Sequence, residues 1–259
     1  MNNQGKEKRR WAYPGTILIV LALVGIYELL TDVTGVLGIL IFPGFSRIIP
    51  AFISSLPKLF ESLVSSSRLL FPAYFLGAFL GISLGLVIGL CPRVHRSLQP
   101  IIYALSPMPP SMFTPYLITL LPTFYISSVA VIFMGCFWPF LNATISGVLL
   151  IEETYLENAD VIHLRGIKKV LFVIIPGALP SIFQGAATAL NFSFILLTVA
   201  EMFATTSGLG YFVQYNADYM AYDKVLAGLI FMALYIVFLY TGFTFIKKKA
   251  LFWCLNRNS

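Results

Sequence analysis

A chain of 259 residues with 58% hydrophobic and 11% charged residues lies far from the soluble balance of about 25% charged, which excludes an ordinary water-soluble fold. The net charge of +6 does not point to nucleic acid, because the basic residues sit in short clusters between apolar runs, as membrane topology signals do. Three cysteines at unrelated spacings, Cys91, Cys136 and Cys254, indicate neither a disulfide framework nor a metal site, and Cys136 inside an apolar run reads as a small buried hydrophobe.

Apolar segments predict spans near residues 14–34, 69–90, 98–120, 125–149, 177–204 and 225–246. They lack the period-two alternation of a barrel and exceed a barrel strand's length, so the expected fold is an all-α integral membrane protein of about six transmembrane helices. The basic run Lys6 to Arg10 followed by Thr16 to Leu30 has the outline of a secretory signal. Thr31-Asp32-Val33-Thr34-Gly35 supplies no clear small-x-small cleavage site, and further spans follow, so an uncleaved first span is expected. Glu28 and Asp32 close that span where they can reach water.

Between the first two spans, Ile48, Ile49, Phe52, Ile53, Leu56, Leu59, Phe60 and Leu63 recur at helical spacing and predict an amphipathic helix at the outer surface, with Pro57 as a kink or a break into two pieces. In the second span Gly77, Gly81, Gly85 and Gly89 recur every four residues on one face, which allows close helix approach. The third segment holds Ser106-Pro107-Met108-Pro109-Pro110 and then Pro115. Prolines at this density free backbone carbonyls inside a membrane, so the segment is either a broken helix beside a transport pathway or a kinked packing helix.

The loop after the fourth span runs from Glu157-Asn158-Ala159-Asp160-Val161-Ile162-His163-Leu164-Arg165-Gly166 to Val173-Ile174-Ile175-Pro176. Acidic residues come first and basic ones later, with Ala159, Val161 and Ile162 among them. Such a short amphipathic helix can lie on a membrane or dock a partner. Asn142 and Asn191, in the fourth and fifth spans, can face a polar cavity or bond a neighbouring helix. Glu201, near the end of the fifth span and before Gly208-Leu209-Gly210, can line or gate a pathway or accept hydrogen bonds from the turn's amides.

With the N-terminus inside, thirteen Lys and Arg fall on the cytoplasmic side, while only Arg47, Lys58, Arg68 and Lys224 fall outside. The expected organisation is a cytoplasmic tail over 1–13, a membrane domain over 14–249 with a cytoplasmic loop over about 150–176, and a cytoplasmic tail over 250–259. There is no phosphate loop, His-Glu-x-x-His or Gly-x-Ser-x-Gly motif, so no catalytic residue, metal or cofactor is expected. His95 and His163 read as loop residues. A secondary transporter would show paired intramembrane charges, and a membrane enzyme a cluster of reactive groups at one depth; neither is evident.

The chain resembles the permeases of bacterial binding-protein-dependent ABC importers. Their cytoplasmic motif, Glu-Ala-Ala, three residues, Gly, nine residues, Ile-x-Leu-Pro, is matched by Glu157, Ala159, Val173, Ile175 and Pro176, with Asn158 in the second position and His163 in place of the glycine. Gly166 falls three residues too late for that place. Pro176 to Pro180, Phe137-Trp138-Pro139-Phe140-Leu141-Asn142, and Ala200-Glu201-Met202 followed by Gly208-Leu209-Gly210 are similar to the nitrate, sulfonate and taurine group, and the likeness runs in order over about residues 40 to 250. Ser106 stands where an arginine is common.

The resemblance implies a type I ABC importer permease fold in the bacterial inner membrane, with both termini cytoplasmic. It implies a coupling helix over Glu157, Ala159, Asp160, Ile162, His163 and Leu164, continuing through Gly166 to Pro176, that docks a separate ATPase. Further partners implied are a second permease copy and a periplasmic or lipid-tethered solute-binding protein. His163 in the glycine position implies a turn that departs from the family form, since a side chain resists positive φ.

Overall fold

The structure, a computed structural model, describes residues 15, 18–19, 21–33 and 41–255. The tail expected over 1–13 and residues 256–259 lie outside the described residues. Residue contacts divide the chain into two compact units, one holding the described residues up to Phe60 with Phe212–Phe231, the other Glu61–Tyr211 with the residues from Met232 onward. Among the described residues the regular structure is helical throughout, and four helices are long and apolar enough to cross a membrane.

The first predicted span ends in a π-helical turn, Leu29–Val33. Its carboxylates do not simply reach water. Glu28 Oε2 accepts the Phe45 N–H at 3.1 Å and Asp32 Oδ2 accepts the Ser46 hydroxyl at 2.7 Å, so both serve the N-terminus of the next helix, where negative charge opposes the positive end of the helix dipole.

That helix, α1 (Phe45–Leu90), corrects the sequence reading. The expected surface helix and second span are one continuous helix of 46 residues. At 1.5 Å per residue it is about 69 Å long, more than twice the roughly 30 Å hydrocarbon core, so part of it extends beyond a bilayer or is strongly tilted. Ile48, Ala51, Ser55 and Leu59, then Ser62, Ser66, Leu70 and Ala73, are buried at three- and four-residue spacing. Pro57 stands on the exposed side of the helix and withdraws only one backbone donor, a loss the unbroken buried stripe on either side outweighs.

The third predicted span is not one helix. α2 (Pro92–Leu105) stops before the prolines, a 3₁₀ turn follows at Pro110–Phe113, and α3 (Thr114–Leu120) resumes with Pro115 in its first turn. Of the two readings of this segment, the broken helix is the one observed. α4 (Phe124–Leu149) starts on a Thr123 cap, whose hydroxyl oxygen accepts the Ile126 N–H at 3.3 Å, and the Ser127 hydroxyl donates to the Leu117 carbonyl at 2.9 Å, tying α4 to α3.

The second unit is built on glycine contacts. A Cβ placed on Gly77, Gly81, Gly85 or Gly89 would lie 2.7, 2.6, 2.6 and 2.9 Å from the Cβ atoms of Cys136, Phe140, Thr144 and Val148, so the four-residue ridge of α1 runs in register with a four-residue ridge of α4. The other side of α4 meets α6 (Ile175–Ala204) in the same manner, with Gly147 against Ala178 and Ser181 and Gly185 against Ala143 and the Pro139 carbonyl. Ile88, Ile102, Leu141 and Ile145 close a core where α1, α2 and α4 meet.

Between α4 and α6 lies a short helix, α5 (Glu153–Val161), followed by a helical turn at Ile167–Lys169 and a π-turn at Val170–Ile174 that leads into α6. The π-turn sits just before Pro176, whose missing N–H interrupts the ordinary α-helical ladder. α7 (Leu209–Asp218) and α8 (Tyr222–Ala250) follow, and α8 ends on Lys247, Lys248 and Lys249, favourably placed at the negative end of its dipole. α9 (Phe252–Leu255) completes the described chain.

Gly81→Val is expected to lower the stability of the detergent-solubilised protein by about 1–3 kcal/mol through overpacking against Phe140. Gly242→Ala, inside α8 where an added Cβ meets nothing within 4 Å, is the control and should not destabilise, gaining up to about 1 kcal/mol from helix propensity. Thermal unfolding of the two variants side by side measures the difference.

Candidate functional site

Three places gather the residues singled out by sequence. At the first, α5 ends in a complete Schellman closure. The Leu164 N–H donates to the Ala159 carbonyl at 2.8 Å and the His163 N–H to the Asp160 carbonyl at 3.0 Å, with His163 at φ 57°. His163 thus holds its imidazole in the left-handed conformation that a glycine takes without cost. Gly166 follows at φ 59° and ψ −135°, a region open to glycine, and starts the turn Ile167–Lys169.

Burial sorts the segment by side. Ala159 is 2% exposed, enclosed by its own chain, so its small size serves internal packing before any docking partner is considered. Glu157, Val161 and Ile162 point outward, with Val161 75% and Ile162 67% exposed, while Leu164 and Pro176 are half-buried. Asp160 accepts a hydrogen bond from Lys169 Nζ at 2.8 Å, an ion pair that closes the loop onto the start of the following span. Lys169 counts among the cytoplasmic basic residues, and its nine-residue separation from Asp160 gives no helical signal for the pair.

The second place is a cavity of about 460 Å³ where the proline break faces α4 and α6. Its wall includes Ser106 and Ser111 from the break, Trp138 and Asn142 from α4, and Thr188 and Phe192 from α6. Asn142 Nδ2 donates to Ser106 Oγ at 3.1 Å, so the half-buried amide both lines the cavity and fastens the break. Thr188 has no part in the sequence reading, and Trp138 enters it only within the run Phe137 to Asn142, not as a pathway residue. Trp138 stands one turn before Asn142, and this helical spacing is the signal that finds it. Asn191, also read as a pathway candidate, is exposed on α6 outside this wall.

Glu201 forms the third place. It is fully buried, its Oε2 accepts the Gly210 N–H at 2.7 Å, and the neighbouring Leu209 N–H is taken by Ser66 Oγ at 2.9 Å. Gly208 has φ 116°, and a Cβ there would collide with the Glu201 carboxylate. Of the two readings of Glu201, acceptance of the turn's amide is the one the geometry contains; the residue is absent from the cavity wall.

Residues 73–250 match the family described as binding-protein-dependent transport system inner membrane component. The chain belongs to this family. Taurine transport system permease protein TauC of Escherichia coli (strain K12) is 30% identical to this permease over 195 residues, covering 75% of the chain and 71% of the relative. Nitrate import permease protein NrtB of Synechococcus elongatus is 31% identical over 159 residues, 61% of this chain and 57% of the relative. An inward-facing structure of the MetNI methionine ABC transporter matches the fold with a TM-score of 0.66 at 14% identity, covering 76% of this permease and 98% of the matched chain. The fold expected from sequence, a helical ABC importer permease of the inner membrane, is the one observed.

His163→Gly removes the cost of a side chain in left-handed backbone and is expected to raise the stability of the permease by up to about 1 kcal/mol, measured by thermal unfolding. Gly208→Ala combines positive φ with the clash against Glu201, so a loss of about 2 kcal/mol or more is expected by the same measurement.

Proposed function

We propose that this permease is the membrane subunit of an ATP-driven importer that moves a small solute of the sulfonate, taurine, nitrate or vitamin-precursor class into the cytoplasm. ATP is hydrolysed on separate cytoplasmic ATPase subunits, a periplasmic or lipid-tethered binding protein delivers the solute, and two permease copies form the pore. Both termini lie in the cytoplasm, as the charge asymmetry of the loops favours. The relatives named for taurine and nitrate transport support the solute class.

The observation that carries the coupling reading is the build of the segment around Glu157. α5 is a short helix whose inner side is fixed by buried Ala159, whose end is locked by the His163 turn and whose base is held by the Lys169 to Asp160 pair. That support leaves Glu157, Val161 and Ile162 displayed as a rigid acidic and apolar knob, which suits insertion into a groove on another protein. Movement of the ATPases then acts on α6 through Gly166 and Pro176. Nucleotide-driven closure of the ATPase pair draws two such knobs together and turns the pore outward, a rigid-body alternation powered through the docking contact. Asn142 is the pathway residue best placed for contact with solute. Asn191, exposed on α6 outside that wall, and Glu201, buried against the Gly208 turn, stand away from this contact.

Replacing Ile162 by Glu or Glu157 by Arg should reduce co-purification of the ATPase about tenfold or more, since a hot-spot contact is worth about 2 kcal/mol, with no change in the amount of permease in the membrane. Affinity purification of the tagged permease from native membranes, followed by quantitation of the ATPase, checks this. Undiminished recovery and uptake in both variants would remove the coupling role.

A further inference from the structure

We infer that the solute crossing this permease is an uncharged organic molecule carrying hydrogen-bonding groups and an apolar or aromatic face, and not an oxyanion. The inference rests on the import reading above and narrows its solute class to the vitamin-precursor kind, setting aside nitrate and the sulfonates, taurine among them.

The cavity wall holds no ionisable side chain. Its polar side chains are Ser106, Ser111, Asn142 and Thr188, and its aromatic ones are Trp138 and Phe192. The surrounding sequence offers no remedy, because no charged residue or histidine occurs over 97–151, 170–200 or 225–246. Beyond these ranges, at the end of α6, Glu201 accepts the Gly210 N–H and is absent from the cavity wall. Arg68, the nearest basic residue along α1, lines a different groove with Phe71 and Tyr125. Two copies of this chain would double an uncharged wall without adding a cation.

The neutral groups at the cavity both donate and accept hydrogen bonds. The break contains Pro107, Pro109 and Pro110, which have no N–H, so the Tyr103 and Ser106 carbonyls lack their usual helical donors. Among the side chains, one Asn142 N–H goes to Ser106 and the Thr188 hydroxyl proton to the Gln184 carbonyl at 3.2 Å, while the second Asn142 N–H, the Ser106 and Ser111 hydroxyls and the Trp138 indole N–H are neutral donors on the same wall. Such a wall, with an indole and a phenyl ring, suits an uncharged solute that exchanges hydrogen bonds and packs one face, whereas an anion would lose hydration there without meeting a countercharge.

The test compares the parent bacterium with a strain deleted for this permease, each grown with mixed nutrients, by mass spectrometry of the medium with and without ATP depletion. Loss of ATP-dependent uptake of an uncharged compound, not competed by excess nitrate or taurine, is the expected result. If the lost compound is nitrate, bicarbonate or a sulfonate, the inference is overturned while the import reading stands. If no compound depends on both the permease and ATP, the import reading itself fails and takes the inference with it. Trp138→Ala should lower uptake of the identified compound at least about tenfold at equal membrane abundance, with Trp138→Phe recovering part of it. Wild-type uptake by Trp138→Ala would show that this cavity is not the route.

Discussion

The second unit depends on one constraint: α4 must touch two other helices at the distance of backbones, not of side chains. Gly77, Gly81, Gly85 and Gly89 of α1 meet Cys136, Phe140, Thr144 and Val148 on one side, and Gly147 and Gly185 form the contact with α6 on the other. In lipid, where apolar side chains gain nothing by leaving their surroundings, such close van der Waals contact is what associates helices. Fixing α4 on these two sides also fixes its third. Trp138 and Asn142 face the proline break because the glycine seams leave them no other direction, and the cavity exists where the broken segment cannot close the gap.

α6 links the three places described above. It begins at the π-turn behind the His163 closure, carries Thr188 and Phe192 past the cavity, and ends at Glu201 with its bond to the Gly210 amide. A displacement of α5 thus has a continuous helical route to the cavity wall. Its start is held by an ion pair that is largely exposed, worth about 1 kcal/mol or less, so the base of the segment can yield while the Schellman closure stays intact.

Much of this was legible in the sequence because it follows from periodicity. The apolar runs over 69–90, 125–149, 177–204 and 225–246 each fall in one of the four helices able to cross a membrane, the four-residue glycine repeat marked the seam, and the proline cluster divided the expected third span. α1 was misread because an amphipathic pattern followed by an apolar one looks like two elements; local composition does not reveal that the buried stripe passes Pro57 without a change of phase. The Glu157 segment was found by its motif, yet the inward position of Ala159 was not, since nothing local separates a small residue facing its own protein from one facing a partner. His163 shows the opposite limit. Propensity argued against left-handed backbone there, and two hydrogen bonds from the turn prevailed over it. Glu201 and Ser66 lie 135 positions apart, and their shared service to one turn has no sequence signal at all.

The register of the glycine seam also has a meaning across generations of the protein. A Cβ at position 77, 81 or 85 would meet backbone atoms of α4 as well as a side chain, at 3.0–3.4 Å, so no change of the facing residue makes room there. At position 89 the nearest atoms all belong to the Val148 side chain, and space can be traded between those two residues. Three rungs therefore tolerate glycine alone, and exchange of volume between the helices is open at the fourth.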